Sequence, residues 1–130
     1  MTDSPTVRLV LDTTAITAWC RESVAVGELL AEIRDEDGAA VIPLACLVEA
    51  AHSTGLLEQQ RLDLLVDHDA TVLLEDDARD WKALAATRTV IGRADLASAA
   101  MLAMTCSVNV MTNDPRWYAE LGDIVLEFDG

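Results

Sequence analysis

The amino-acid sequence predicts an α/β fold, namely a three-layer α/β/α sandwich with a central, mainly parallel sheet of about five strands. Short apolar runs alternate along the chain with longer segments that carry apolar residues at helical spacing, an order typical of parallel sheets. The runs show little polar alternation, as expected of strands that helices cover on both faces. The chain has 130 residues and no evident repeats or linkers, so residues 1–130 are expected to form a single domain.

The strand signal occurs five times. The first run, VRLVL, leads directly into Asp12, and Pro43 breaks the second run because proline cannot donate a backbone hydrogen bond. The predicted strands are residues 7–11, 39–42, 71–74, 108–114 and 124–128.

Helices are predicted between these strands. Thr13 and Thr14 open the first, and the second runs from Val24 to a stop at Gly38. The third, which begins after Pro43, is closed by Gly55 and is followed by further helical sequence at 56–67.

Two more helices precede the fourth strand. Asp76 or Asp77 is expected to cap a helix that carries Trp81. The segment DLASAAMLAMTC, opened by Asp95, is nearly all small and apolar, and we expect it to be buried against the sheet.

The charge balance is strongly acidic. Nine Lys and Arg residues stand against 23 Asp and Glu, for a formal net charge of -14, which is unfavourable for encounter with a polyanion and favourable for a basic protein partner. The N-terminus lacks a signal-peptide pattern, no segment approaches a membrane span, and the three cysteines form no CxxC pair. A cytoplasmic protein without disulfides or membrane segments is therefore expected.

Four acidic residues form the candidate site. Asp12 and Asp114 lie at the carboxyl ends of predicted strands, after VRLVL and VNVMT, and ligands of open parallel sheets bind beyond such ends. Glu49 lies inside the apolar run LACLVEAA, where a buried carboxylate would need a cation or a strong hydrogen-bond partner. Asp95 stands at the positive end of a helix dipole. If these carboxylates converge, Mg²⁺ or Mn²⁺ would relieve their repulsion.

Each acid also has an ordinary structural explanation. Asp12 could complete a strand-end turn, Asp95 could be a helix cap, and Asp114 could form a turn before Pro115. Arg93 and Arg116 are candidate phosphate contacts, although either could be a solvated surface arginine.

The aromatic residues and histidines offer weaker signals. Trp81, Trp117 and Tyr118 could stack on bases, but packing in the core or at an interface is the preferred interpretation. His52 could form a Glu-x-x-His pair with Glu49, but sites of that kind need a second copy of the motif.

Four motifs in this order resemble the PIN-domain family, and particularly VapC-like toxins of bacterial toxin–antitoxin systems. They are LDTTAI at 11–16, PLACLVEA at 43–50, RADLASAAMLA at 93–103 and VMTNDPRW at 110–117. The resemblance implies an α/β/α sandwich and a ribonuclease that hydrolyses RNA with Mg²⁺ or Mn²⁺. Its implied catalytic and metal-binding residues are Asp12, Glu49, Asp95 and Asp114, and Thr14 and Thr112 match the accompanying hydroxyl positions.

The same resemblance implies a homodimer and a small antitoxin whose basic tail blocks the acidic cleft by placing an arginine among the acids. Two other functions stay open from the residues themselves. One is a PIN-like binding or regulatory module without catalysis, which the acidic charge favours. The other is a receiver-like domain, which is weakened because the first strand lacks paired acids and because no lysine follows a late strand.

Overall fold

The computed structural model describes residues 6–55 and 58–129 and has the predicted fold class. Its sheet contains five strands, all parallel, in the order β3-β2-β1-β4-β5. The strands are β1 (Thr6–Leu11), β2 (Gly38–Pro43), β3 (Thr71–Leu74), β4 (Asn109–Thr112) and β5 (Val125–Glu127). The α/β/α sandwich predicted from the sequence is therefore confirmed.

Six α-helices and two 3-10 segments connect the strands in the described part of the chain. The helices are α1 (Thr13–Cys20), α2 (Val24–Asp35), α3 (Leu44–Thr54), α4 (Gln59–Val66), α5 (Trp81–Ile91) and α6 (Ala94–Cys106). The 3-10 segments are Ala78–Asp80 and Pro115–Leu121. Because parallel crossovers are right-handed, α1 to α4 cover one face of the sheet and α5 and α6 cover the other.

The core lies around β1, β2 and β4. The middle strands are buried on both sides, and helix α6 contributes a row of alanines with no exposed surface. Ala99, Ala100 and Ala103 bring the backbone of α6 close to the sheet, as the small-residue pattern predicted. Among the described residues, no helix is long and apolar enough to cross a membrane.

The chain turns between α2 and β2 differently from the prediction. Helix α2 ends at Asp35, Asp37 takes the positive φ of 55°, and Gly38 is already the first residue of β2. Gly38 is needed for space, because a Cβ there would lie 2.8 Å from Cγ of Arg8. The prediction that Gly38 stops the helix was therefore wrong.

Other boundaries differ by a few residues. Strand β4 ends at Thr112 because residues 113–114 turn toward the 3-10 helix, and β5 is shorter than predicted. Asp77 caps the 3-10 segment before α5 through its side chain. Of the predicted helical stretch 56–67, residues 56–57 lie outside the described residues and α4 covers most of the rest.

Enlarging Ala100 should test the close packing of α6. Ala100→Leu should lower the free energy of unfolding by about 1–3 kcal/mol, because a fully buried site in contact with the sheet has no room for three more carbons. The exposed Ala83→Leu change on α5 is the matched control and should have little effect. Urea unfolding measures both, and equal stabilities would contradict the packing described for α6.

Candidate functional site

The candidate site lies where the order of strands in the sheet reverses direction. From β1 the chain proceeds to β2 and β3 on one side, and then returns to β4 on the other side of β1. The carboxyl ends of β1 and β4 therefore flank the switch point, the usual place for a ligand in an open parallel sheet. Asp12 directly follows β1, and Asp114 follows β4 by two residues.

An open cleft of about 900 Å³ lies beside this point between α3, α5 and the start of α6. We call it the acidic cleft. Its charged lining residues are Glu49, Glu75, Asp76, Asp95, Arg88 and Arg93. Two of the four predicted acids, Glu49 and Asp95, thus share one cleft.

Asp12 is fully buried beneath this region. Its Oδ1 caps helix α1 by accepting hydrogen bonds from the backbone N–H groups of Thr14 (2.9 Å) and Ala15 (3.1 Å) and from the Thr14 hydroxyl (2.6 Å). The Tyr118 hydroxyl donates to Oδ2 at 2.7 Å. The Thr112 side chain also stabilises the Asp12 carboxylate, so the protein itself supplies the hydrogen bonds that a buried carboxylate needs.

Burial raises the pKa of the Asp12 carboxyl, and the hydrogen bonds from Thr14 and Tyr118 offset the rise only in part. Burial and the charge of Asp12 also raise the pKa of Tyr118, which keeps the phenol protonated as a donor. An ionised Asp12 is therefore costly unless a cation approaches it.

Two threonines connect Asp12 to the end of β4. The Thr14 hydroxyl lies 3.4 Å from the Thr112 hydroxyl and accepts from the backbone N–H of Asn113 at 3.0 Å. Thr112 in turn accepts from the backbone N–H of Asp114 at 3.1 Å. The two hydroxyl residues named from the sequence thus hold the ends of β1 and β4 together.

Asp95 is the second residue of α6, and Arg93 occupies the N-cap position. The alternative explanation, that Asp95 is an ordinary helix cap, is therefore excluded, and Asp95 lies in the first turn of α6 as an acid near the positive end of the helix. Its carboxylate, 9% exposed, accepts hydrogen bonds from the Thr13 hydroxyl and from both Nε and Nη2 of Arg93, at 3.1 and 2.6 Å. The Cys46 thiol donates to the Asp95 carbonyl at 3.1 Å and fixes α3 against α6.

Glu49 is half-exposed at the wall of the acidic cleft. The sequence had suggested a buried carboxylate in need of a partner, and this was wrong because the core-facing side of α3 consists of Cys46, Leu47, Ala50 and Ala51, which leaves Glu49 half-buried. Leu44 and Val48 are exposed, at 39% and 58%, so the apolar run around Glu49 does not indicate burial.

The carboxylate of Asp114 lies outside the acidic cleft. It lines a neighbouring hollow together with Arg116 and Glu127 and pairs with Arg116 at 2.9 Å. Hydrogen bonds from Arg116 lower the pKa of Asp114. Arg116 itself is 89% exposed, so it corresponds to the solvated surface arginine that the sequence left open.

Arg93 lies in the cleft and contacts more than Asp95. Its guanidinium stands 5.5 Å from the centre of the Trp117 ring. Burial lowers the pKa of Arg93, but the Asp95 hydrogen bonds and the negative charges of Asp95, Glu49 and Asp12 outweigh that effect, so the pKa is raised. Among the predicted acids, Asp95 therefore pairs with this guanidinium directly, whereas Glu49 and Asp12 raise its pKa only through their charge.

Sequence reasoning missed several residues of this region. Thr13 and Tyr118 hold the two buried acids, and Ser98 donates to Asp76 at 2.6 Å on the cleft wall. Tyr118 was expected in the core and is buried there, but Trp81 is 63% and Trp117 is 37% exposed, so the core interpretation was wrong for both tryptophans. The sequence did contain a signal for Ser98, because it lies one helical turn after Asp95 and therefore on the same, cleft-lining side of α6.

Carboxylate oxygens are the ligands that hard divalent cations prefer, so Glu49 and Asp95 in the acidic cleft fit such a cation by ligand type. Within residues 6–55 and 58–129, however, no group of three or more His, Cys, Asp or Glu side chains is arranged to hold a metal ion. The Arg93 guanidinium is the positive group that Asp95 contacts in this structure.

Comparison with known proteins adds no assignment. No protein-family model matches the chain, and no curated protein matches its sequence. The chemical capacity of the site follows from its own residues.

Replacing Asp12 with Asn should stabilise the metal-free protein near neutral pH by about 1 kcal/mol, because the amide carries no charge to bury. Since the pKa of Asp12 is raised, the folded protein keeps that proton to higher pH than the unfolded chain does. Wild-type stability should therefore fall as pH rises from the ordinary carboxyl range through the pKa of Asp12, and Asp12→Asn should lack this fall.

Urea unfolding in EDTA across a pH series measures this difference. The exposed Asp123→Asn change is the control and should keep the wild-type pH dependence. If Asp12→Asn were less stable than wild type at neutral pH, the buried charge would be compensated by the protein itself.

Proposed function

We propose that the chain is a metal-dependent endoribonuclease of the PIN type, which hydrolyses RNA phosphodiester bonds in the cytoplasm as the toxin of a toxin–antitoxin pair. The observation that carries the proposal is the position of Glu49, Asp95 and Arg93 in one cleft, with Arg93 paired to Asp95, while the buried Asp12 lies at the end of β1, at the switch point of the sheet. The four motifs that resemble the PIN family supply the substrate class and the reaction.

The residues that would hold magnesium or manganese are Asp12, Glu49, Asp95 and Asp114. When bound, the metal would supply activated water for in-line attack and neutralise charge on the phosphodiester. To join the other three acids, the Asp114 carboxylate would have to leave Arg116. This change would cost little, because exposed ion pairs of this kind are weak. Thr13, Thr14, Thr112 and Tyr118 keep the carboxylates and the strand ends in fixed positions.

Arg93 is the better placed of the two candidate phosphate contacts. Its side chain is one-third exposed and lines the acidic cleft, whereas Arg116 lies beside the separate hollow. Arg88, on the same wall as Arg93, adds a second positive group along which an RNA backbone could lie.

The net charge of -14 bears on the partners. It slows encounter with RNA, and it favours a small basic antitoxin whose arginine would compete for the same carboxylates. A homodimer is proposed on the resemblance alone. A gene beside this one that encodes a small basic protein would support the toxin role.

A second candidate is a PIN-like binding or regulatory module without catalysis. It is favoured by the acidic charge and by the Arg93–Asp95 pair, which neutralises one acid without metal. Titration with Mn²⁺ separates the two functions before any substrate is known, because a module of this kind would show no binding near millimolar concentration and no dependence on Asp12.

Cleavage of a mixed single-stranded RNA pool tests the nuclease. With Mg²⁺ or Mn²⁺ the wild type should cut RNA, and Asp12→Asn and Asp114→Asn should each lower the rate roughly 100-fold or more, since each removes a charged ligand. EDTA should abolish cleavage. Product sizes on a denaturing gel, followed over time, give the rates.

The control is Asp35→Asn, which changes an exposed acid at the end of α2, before β2 begins and so at the opposite edge of the sheet. It should cut like the wild type. An inert wild type with every metal, or acid variants as active as the wild type, would overturn the nuclease and leave the binding module.

A further inference from the structure

We infer that Arg93 is an internal counter-ion of the acidic cleft, and that a divalent metal reaches Asp95 only by displacing the Arg93 guanidinium. This inference rests on the proposed metal site and concerns how that site is controlled. It assigns Arg93 a second role besides phosphate contact, since the same side chain must leave Asp95 before it can reach a substrate.

Arg93 and Asp95 form a forked ion pair. Arg93 meets both oxygens of Asp95 as a fork, with Nε 3.1 Å from Oδ1 and Nη2 2.6 Å from Oδ2. The Thr13 hydroxyl also donates to Oδ2. Both oxygens of a proposed metal ligand are therefore already engaged by donors, and forked arginine pairs are the strong ones.

The Arg93–Asp95 pair is also partly shielded from water. Its side chains are 34% and 9% exposed, which makes it the least exposed ion pair among the described residues. Surface pairs are screened and break easily, but a pair at this depth keeps more of its attraction. A metal that takes Asp95 must overcome that attraction.

The Arg93 guanidinium has a second contact besides Asp95. It lies over the Trp117 ring at 5.5 Å, and Trp117 is 37% exposed. The preceding residue, Gly92, has a φ of 90°, and a Cβ there would lie 3.8 Å from the Trp117 ring. Because Arg93 also lines the open cleft, its guanidinium can leave Asp95 and keep its contact with Trp117.

A coupling between metal and phosphate follows. A phosphate that binds Arg93 removes it from Asp95 and should tighten metal binding, and a metal on Asp95 frees Arg93 for phosphate. Such coupling is reciprocal by thermodynamic necessity.

The test is Mn²⁺ affinity, measured by the electron paramagnetic resonance signal of free Mn²⁺ with wild type, Arg93→Gln, Arg93→Lys and Arg88→Gln. Arg93→Gln should lower the Mn²⁺ dissociation constant about 10-fold, within the usual range of site coupling. Arg93→Lys, which keeps the charge and loses the fork, should have an intermediate effect. Circular dichroism verifies that each variant is folded.

Arg88→Gln is the matched control, because it removes the same charge from the same cleft without removing a partner of Asp95. It should change the dissociation constant less than about 3-fold, as expected of a charge that solvent screens. A short RNA with non-hydrolysable linkages should tighten Mn²⁺ binding to the wild type, and this gain should be lost in Arg93→Gln.

The outcomes separate the two levels of the proposal. If wild type binds Mn²⁺ and Arg93→Gln binds it equally or more weakly, the counter-ion role is overturned while the metal site stands. Equal tightening by Arg93→Gln and Arg88→Gln would also overturn it, since general charge would then explain the effect. If neither wild type nor Arg93→Gln binds Mn²⁺ near millimolar concentration, the proposed metal site itself fails.

Discussion

The buried carboxylate of Asp12 is the constraint around which this end of the molecule is organised. It terminates the central strand β1, caps α1 through Oδ1 and receives the Tyr118 hydroxyl from the 3-10 helix after β4. Through Thr14 it also reaches Thr112 and so the end of β4. Burial raises the pKa of Asp12, so these contacts are maintained around a group whose ionisation opposes folding. Such a cost is typical of functional sites, where strain or charge serves binding at the expense of stability.

The acidic cleft extends this arrangement into solvent. Glu49 and Asp95 line the cleft, and Arg93 neutralises Asp95 through an ion pair. The negative charges of Glu49 and Asp12 also raise the pKa of Arg93. Two of the nine basic residues in the chain, Arg88 and Arg93, lie in this one cleft. Under the proposed function, the same Arg93 balances the acids at rest and meets phosphate during the reaction. The net charge of -14 would repel an RNA substrate at long range. At short range, however, bound cations and nearby arginines would determine whether the phosphates can bind.

Much of the fold could be predicted from the sequence, because it depends on local patterns. The strand at 71–74 has the predicted ends, Gly55 ends α3 with a positive φ, and the alanines of α6 face the sheet. The candidate site could be predicted only in part. The apolar run around Glu49 suggested burial, but helix phase places that residue on the cleft wall. Asp95 accepts a hydrogen bond from Thr13, 82 residues away, and Asp12 from Tyr118, 106 residues away, and no local pattern encodes such contacts. The side-chain direction of Asp114 depends on Arg116, which could equally have faced the cleft.

The most direct test of the metal site is anomalous X-ray diffraction from crystals soaked in Mn²⁺. The account predicts an anomalous peak at the switch point of the sheet, at bonding distance, roughly 2.2 Å, from carboxylate oxygens of Asp12 and Asp95, with the Arg93 guanidinium moved off Asp95. Crystals of Asp12→Asn should lack the peak. Well-diffracting soaked crystals with no peak among these acids, and with the Arg93–Asp95 pair intact, would contradict a metal-dependent function.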